Sequence, residues 1–204
     1  IKDIITRGPR DIDFISAGSS VDGLNNLTLE QIHFLVHKID ELNSMYDFII
    51  IDTGAGISDQ VMEFVASSSE IILVTTPEPT SITDSYSLLK ALYKRKNFVP
   101  DNSRIKIIAN KVTSRDDANI VYNKINSVVM QFLKGKLEYL GYIPSDASVE
   151  RAVRQQQIVS ICEPFSKASR AYDDIAEKLL GNEATQNTVK KSIAHIFSSF
   201  LKKQ

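Results

Sequence analysis

The chain has no tryptophan, one cysteine, eight glycines and three histidines in 204 residues. A single cysteine, Cys162, excludes an internal disulfide and leaves a structural zinc site without a second thiolate. Its neighbourhood, Ile158 to Cys162, is apolar, so a buried thiol is the expectation. No apolar run approaches the ~18 residues that a membrane-spanning helix needs. A formal net charge of -1 gives no global electrostatic case for nucleic acid, although a local basic patch remains open. The first residues are charged and lack a long apolar core, so no secretory signal is read and the cytoplasm is the expected compartment. The chain starts on Ile1 and opens directly into a pattern that belongs inside a fold. It reads as a piece of a longer protein.

What is present suits one domain with an appendage. The hydrophobic share of 43% supports a real core, and 24% charged residues is ordinary for a soluble chain. The organising stretch runs from Phe48 to Asp59. Phe48, Ile49, Ile50 and Ile51 form a short, β-branched run that predicts a strand covered on both faces. Asp52 would then sit at the strand's carboxyl end, where ligands bind in open α/β sheets. A carboxylate there needs a partner, and magnesium, directly or through water, would supply one. The alternative is an ordinary strand-to-helix turn with an exposed aspartate. Thr53 offers a hydroxyl, Gly54 and Gly56 let the backbone bend, and Ser58 or Asp59 can cap the next helix.

Taken in order, the chain predicts a strand near Ile12 to Ser16 and a helix from Leu29 to about Asn43, capped by Thr28. His33 and His37 share that helix at metal-binding spacing, but no third ligand recurs nearby, so surface histidines are the reading. After the organising stretch come a short helix at Val61–Ala66, a buried strand at Glu70–Thr76, and a helix from Thr80 or Ser81. A strand at Arg104–Val112, a long helix at Ser114–Leu133 and a strand within Lys136–Asp146 that ends at Pro144 follow. Helices at Ser148–Gln156 and Pro164–Leu180 complete the series, the last stopped by Gly181. Strands alternating with helices predict an α/β fold with a mostly parallel sheet and helices on both faces.

The end of the chain differs in kind. Residues 182–188 form a polar linker, and 189–204 carry Val189, Ile193, Ile196, Phe197, Phe200 and Leu201 at helical spacing. Lys191, His195, Ser198 and Lys202 take the opposite face, and Lys190 stands at the border. This is the pattern of an amphipathic helix on an anionic membrane, and equally of one lying on its own domain. Six apolar side chains half-buried at about 1 kcal/mol each give roughly 6 kcal/mol. Nearby lysines add about 1 kcal/mol apiece at an anionic surface.

Four strand ends carry marks in a fixed order: Asp52-Thr53-Gly54-Ala55-Gly56, Thr76-Pro77-Glu78-Pro79-Thr80, Asn110-Lys111-Val112 and Ile143-Pro144-Ser145-Asp146. With Ala147 to Val153 they resemble the MinD/ParA group of deviant P-loop ATPases, and within it the FlhG (YlxH) branch that regulates flagellar number and placement. The resemblance covers nearly the whole chain. It implies ATP and Mg2+ as cofactors, an ATP-dependent homodimer, and a peripheral location at the inner face of the cell membrane. It also implies an FlhF-type GTPase and flagellar basal-body proteins as partners. By this resemblance Asp52 is the catalytic and metal-associated aspartate, holding magnesium through water or positioning the attacking water. Gly54 and Gly56 match the loop that senses the γ-phosphate. Asn110 matches the base-binding asparagine, and Pro144, Ser145 and Asp146 match the loop that frames the adenine. Asp84 falls on a partner-facing helix. The implied division is a partial ATPase domain at 1–181, a linker at 182–188 and a membrane-targeting helix at 189–204.

One departure matters. The group's glycine-rich P-loop, with its lysines, has no match here: Gly135-Lys136 lacks the earlier glycine and the following Ser or Thr. Those lysines and backbone N–H groups do most of the phosphate binding. ATP hydrolysis is therefore expected of the longer protein and not of this stretch alone. Two other functions compete. A ParA-type partitioning ATPase would bind DNA, with Lys94, Arg95 and Lys96 as the candidate patch, although a solvated helix end explains them too. A non-catalytic interaction domain is the other. Relatives built around an iron–sulfur cluster need cysteine pairs, and Cys162 stands alone.

Overall fold

The computed structural model describes residues 4–16, 28–100 and 104–184. They fall into two compact units, divided after Ser67.

The first unit starts with a small antiparallel pair, β1 (Thr6–Arg7) and β2 (Asp13–Phe14), in which Thr6 faces Phe14. Gly8 closes the turn, donating its N–H to the Ile12 carbonyl at 2.7 Å. A Cβ on Gly8 would stand 2.9 Å from that same oxygen, so the turn requires glycine. Helix α1 (Leu29–Asp40) begins with a capping box. The Gln31 N–H donates to Thr28 Oγ1 at 3.3 Å, and the Thr28 N–H donates to Gln31 Oε1 at 2.8 Å. Ile32 on α1 and Leu42 in the turn that follows it are buried. Helix α2 (Asp59–Ser67) is capped by Ser58, whose Oγ accepts from the Val61 N–H at 3.3 Å.

Phe48 to Ile51 overturn the expected strand. No ladder forms there among the described residues, and Ile50 is 88% exposed. An apolar, β-branched run becomes a strand only where a neighbouring strand offers hydrogen bonds and a covering layer. The first unit supplies neither to these four residues.

The second unit is built on a parallel sheet in the order β3-β4-β5. Its strands are β3 (Glu70–Thr75), β4 (Arg104–Val112) and β5 (Glu138–Pro144). Glu70 pairs with Arg104, and Thr75 with Ala109. On the other side Ile107 pairs with Tyr139, and Asn110 with Ile143. Central β4 is buried from Ile105 to Ala109, so both its faces are covered. Helix α3 (Pro79–Tyr93) follows β3, and α4 (Arg115–Val128) follows β4 and continues as a π-turn through Leu133. Helices α5 (Ala147–Arg154), α6 (Val159–Cys162) and α7 (Lys167–Ala184) complete the unit.

Two contacts fix the layering. Tyr122 of α4 lies against Tyr139, ring centroids 5.2 Å apart. Ile175 of α7 joins Ile108, Leu140, Ile143 and Ala168 in one apolar cluster. Ile107, the partner of Tyr139, and Ile108 point to opposite faces of β4. Helices α4 and α7 therefore cover opposite faces, as expected of an α/β sheet. Cys162 corrects another expectation: it is exposed. Helix α6 is one turn long and buries none of its residues, so an apolar neighbourhood in sequence has no core behind it. Helix α7 also runs past Gly181 to Ala184, because an open glycine late in a helix weakens it without ending it.

Candidate functional site

The carboxyl ends of β4 and β5 meet. The ladder shifts between Asn110 and Val112, leaving Lys111 as a bulge with φ 54°. That is left-handed backbone on a residue with a Cβ, a conformation that costs about 1–2 kcal/mol. Asn110 holds it: its Oδ1 accepts from the Lys111 N–H at 2.9 Å. The Ser145 N–H then donates to the Val112 carbonyl at 2.9 Å, tying the loop after β5 to the end of β4. Asn110, Pro144 and Ser145 are thus brought to one sheet edge, as their order in the sequence suggested.

Asp146 is the anchor of this edge. One carboxylate oxygen accepts from the Ser148 N–H at 2.9 Å and caps α5. The other accepts from the Ala168 N–H at 3.0 Å, at the start of α7. The Ser148 amide first, and the Ala168 amide next, hold the carboxyl down at about 2. Beside the loop lies a cleft of about 400 Å³, lined in part by Thr113, Ser114, Pro144, Ser145, Lys167 and Arg170. Asn110 is not in its lining.

Strand β3 reaches the same edge. The Ser81 hydroxyl of α3 lies 3.1 Å from Thr75 Oγ1 and accepts from the Thr76 N–H at 3.0 Å. Thr76 Oγ1 itself is buried and has no hydrogen-bond partner among the described residues. The sequence marks Thr76 as a strand end within a motif and Ser81 as a possible helix start, but gives neither a contact. The direction of a hydroxyl does not follow from spacing.

Asp52, Gly54 and Gly56 belong to the first unit and are exposed. Gly56 has φ 106°, which explains a glycine there. A Cβ at Gly54 would meet nothing within 4 Å. Asp84 is exposed on α3. Lys94 and Lys96 are exposed beyond the end of α3, and Arg95 is half-buried. Among the described residues no group of three or more metal-ligating side chains occurs, and no helix is long and apolar enough to cross a membrane. Magnesium usually takes one or two carboxylates and completes its shell with phosphate and water, so a lone Asp52 is compatible with it. An amide at Asn110, a hydroxyl at Ser145 and the unpaired, buried hydroxyl at Thr76 fit a polar ligand at this edge. Val189, Ile193, Ile196, Phe197, Phe200 and Leu201 lie outside the described residues.

No protein-family model matches the chain. The antiactivator FleN of Pseudomonas aeruginosa is 34% identical over 179 residues, covering 88% of this chain and 62% of FleN. The flagellum site-determining protein YlxH of Helicobacter pylori is 32% identical over 143 residues, covering 70% of this chain and 47% of YlxH. A ParA family ATPase from Chlorobium tepidum superposes with a TM-score of 0.64 at 24% identity, covering 87% of this chain and 67% of that one. Septum site-determining protein MinD from Pyrococcus horikoshii, complexed with Mg-ADP, gives 0.56 at 23% identity over 76% of this chain and 60% of that one. The sheet and its carboxyl-edge loops share the fold of these solved structures, and in sequence the chain is similar to proteins of the MinD/ParA type. Within that class it is similar to the FlhG-type flagellar regulators FleN and YlxH, of which it spans 62% and 47% of the length.

Proposed function

We propose that this chain serves a nucleotide-switched spatial regulator that controls flagellar number or placement. The observation that carries the reading is the likeness to FleN and YlxH, proteins named for antiactivation and for flagellum site determination. ATP, when bound with magnesium, would supply a γ-phosphate whose presence or loss separates two states. This chain's own residues do the rest. The Asn110 amide both donates and accepts, which suits an adenine edge. Pro144 and Ser145 frame that base, and Asp146 keeps their loop in position through its two backbone contacts. Asp52 would hold magnesium through water or position the attacking water. Gly54 and Gly56 give the loop after it the freedom to answer to the γ-phosphate.

The switch acts through a dimer. Two copies of the 189–204 helix, with Val189, Ile193, Ile196, Phe197, Phe200 and Leu201 as the inserted face, bind an anionic membrane far better than one. Attachment to the inner face of the cell membrane then follows ATP-driven dimerisation. Asp84 on the exposed side of α3 meets a partner, with an FlhF-type GTPase and flagellar basal-body proteins as the expected class. Phosphate binding and hydrolysis require a P-loop from elsewhere in the natural protein.

Vesicle co-sedimentation of the full natural protein tests this reading. Anionic vesicles are mixed with protein in ADP or in a slowly hydrolysed ATP analogue, beside a version ending after α7 at Ala184. Pelleting that needs both the analogue and the last helix is expected. Equal pelleting in both nucleotides removes the switch. No pelleting, together with salt-sensitive DNA retention, would replace this reading with a partitioning ATPase.

A further inference from the structure

Among the described residues, two buried side-chain polar atoms have no hydrogen-bond partner: Thr76 Oγ1 and the Tyr139 hydroxyl. They differ in place. Tyr139 pairs with Ile107 in the body of the sheet and lies against Tyr122. Thr76 follows the last residue of β3, on the edge where the candidate site is built. Thr75 pairs with Ala109, so the next residues of these parallel strands, Thr76 and Asn110, stand abreast.

The backbone at Thr76 is fixed. Its N–H is taken by Ser81 Oγ at 3.0 Å, and the same oxygen lies 3.1 Å from Thr75 Oγ1. A β-branched side chain on a fixed backbone has little freedom to seek another partner. A buried hydroxyl that stays unpaired is destabilising, so native structures pair nearly all of them. The Thr76 hydroxyl is therefore held ready for a group outside the described residues.

We propose that Thr76 Oγ1 is a further contact of the nucleotide site, donating its proton to a sugar or phosphate oxygen of a nucleoside phosphate. The inference rests on the nucleotide-binding reading given above. The strand order sets which part of the ligand it meets. Asn110 and the Pro144–Ser145 loop close the β4 and β5 side of the edge, where the base is assigned. Strand β3 is on the far side of β4 from β5. Thr76 stands one strand spacing, about 5 Å, from Asn110 and two, about 10 Å, from the β5 end that carries Pro144 and Ser145. A nucleotide lying across the edge with its base at Asn110 brings its sugar–phosphate part towards Thr76.

Calorimetric titration of the full natural protein with ADP, beside thermal unfolding without nucleotide, tests this. Thr76→Val keeps the shape and removes the hydroxyl, and Thr76→Ser keeps the hydroxyl. Thr76→Val is expected to weaken ADP binding about tenfold, the worth of one hydrogen bond to a charged group. Thr76→Ser is expected to bind like the wild type. The midpoint of Thr76→Val without nucleotide should be unchanged or raised, because an unpaired hydroxyl has been replaced by a methyl. Unchanged ADP affinity with a lowered midpoint would assign the hydroxyl to a protein contact and overturn the proposal. Unchanged affinity and midpoint would overturn it too. A wild type that binds no ADP would remove the nucleotide reading itself, and this inference with it.

Discussion

Lys106 and Glu70 form an ion pair at the amino-terminal end of the sheet, Nζ to Oε2 at 2.8 Å, with the lysine side chain 1% exposed. Arg104 bonds the other oxygen of the same carboxylate. One glutamate at the first position of β3 thus answers two cations on the neighbouring strand. A buried ammonium is expensive without its counter-charge. Glu70→Ala is expected to destabilise the chain by about 3 kcal/mol, the low end for breaking a buried pair, because Glu70 is itself partly exposed. Adding Lys106→Met to that variant should recover most of the loss. Urea unfolding of the four proteins measures the coupling, and an additive result would mean that the pair contributes nothing.

The Asp146 carboxyl, held at about 2 by the Ser148 and Ala168 amides, makes stability depend on pH. Its folded value lies below the unfolded value of about 3.9, so the stabilisation is fully present above pH ~4 and is lost as pH falls through about 2. Asp146→Ala should cost about 1–2 kcal/mol at pH 7, the worth of a lost helix cap. The gap to the wild type should narrow below pH ~4 and close near pH ~2. Thermal melts across that window check the sign: a gap that persists at the acid end would contradict the cause given.

Lys111 carries its strain in the backbone, at φ 54°. Lys111→Val should destabilise by about 1–2 kcal/mol, because a β-branched side chain is worst in left-handed backbone. Lys111→Gly should be near neutral or slightly stabilising, since relief of strain offsets a looser unfolded chain. Denaturant midpoints that rank valine at or above lysine would mean that Lys111 is not left-handed in solution.

Gly135 sits under Tyr93. A Cβ there would stand 2.0 Å from the tyrosine oxygen and 2.6 Å from its ring carbon Cζ. Tyr93 is itself set edge-on against Phe98, centroids 5.3 Å apart, so the ring has little room to retreat. Gly135→Ala should cost about 1–3 kcal/mol by overpacking. Tyr93→Ala in the same chain should remove that extra penalty, which a double-mutant cycle would read.

These particulars separate what sequence could tell from what it could not. Strand β4 keeps the bounds read from its composition, Arg104 to Val112, because a run buried on both faces has one solution. Asn110, Pro144 and Ser145 were legible because their loops follow strand ends, and parallel strands bring such ends together. Phe48 to Ile51 read as a strand just as strongly, yet composition cannot report whether a neighbouring strand exists. Cys162 read as buried because its neighbours in sequence are apolar, whereas burial depends on what stands behind α6. Lys111 left no mark: no glycine announces its left-handed turn, which the Asn110 side chain holds. Asp146 was visible as a loop residue, but its second partner, Ala168, is twenty-two positions away.

That shared carboxylate has a mechanical consequence. The starts of α5 and α7 hang on the two oxygens of one side chain. A displacement of the loop at Ser145 cannot move one helix start and leave the other. Helix α7 has 18 residues, so it carries any tilt of its origin about 27 Å along its axis to Ala184. The Asp146 carboxylate is in effect a hinge pin, and α7 is the lever that hangs from it.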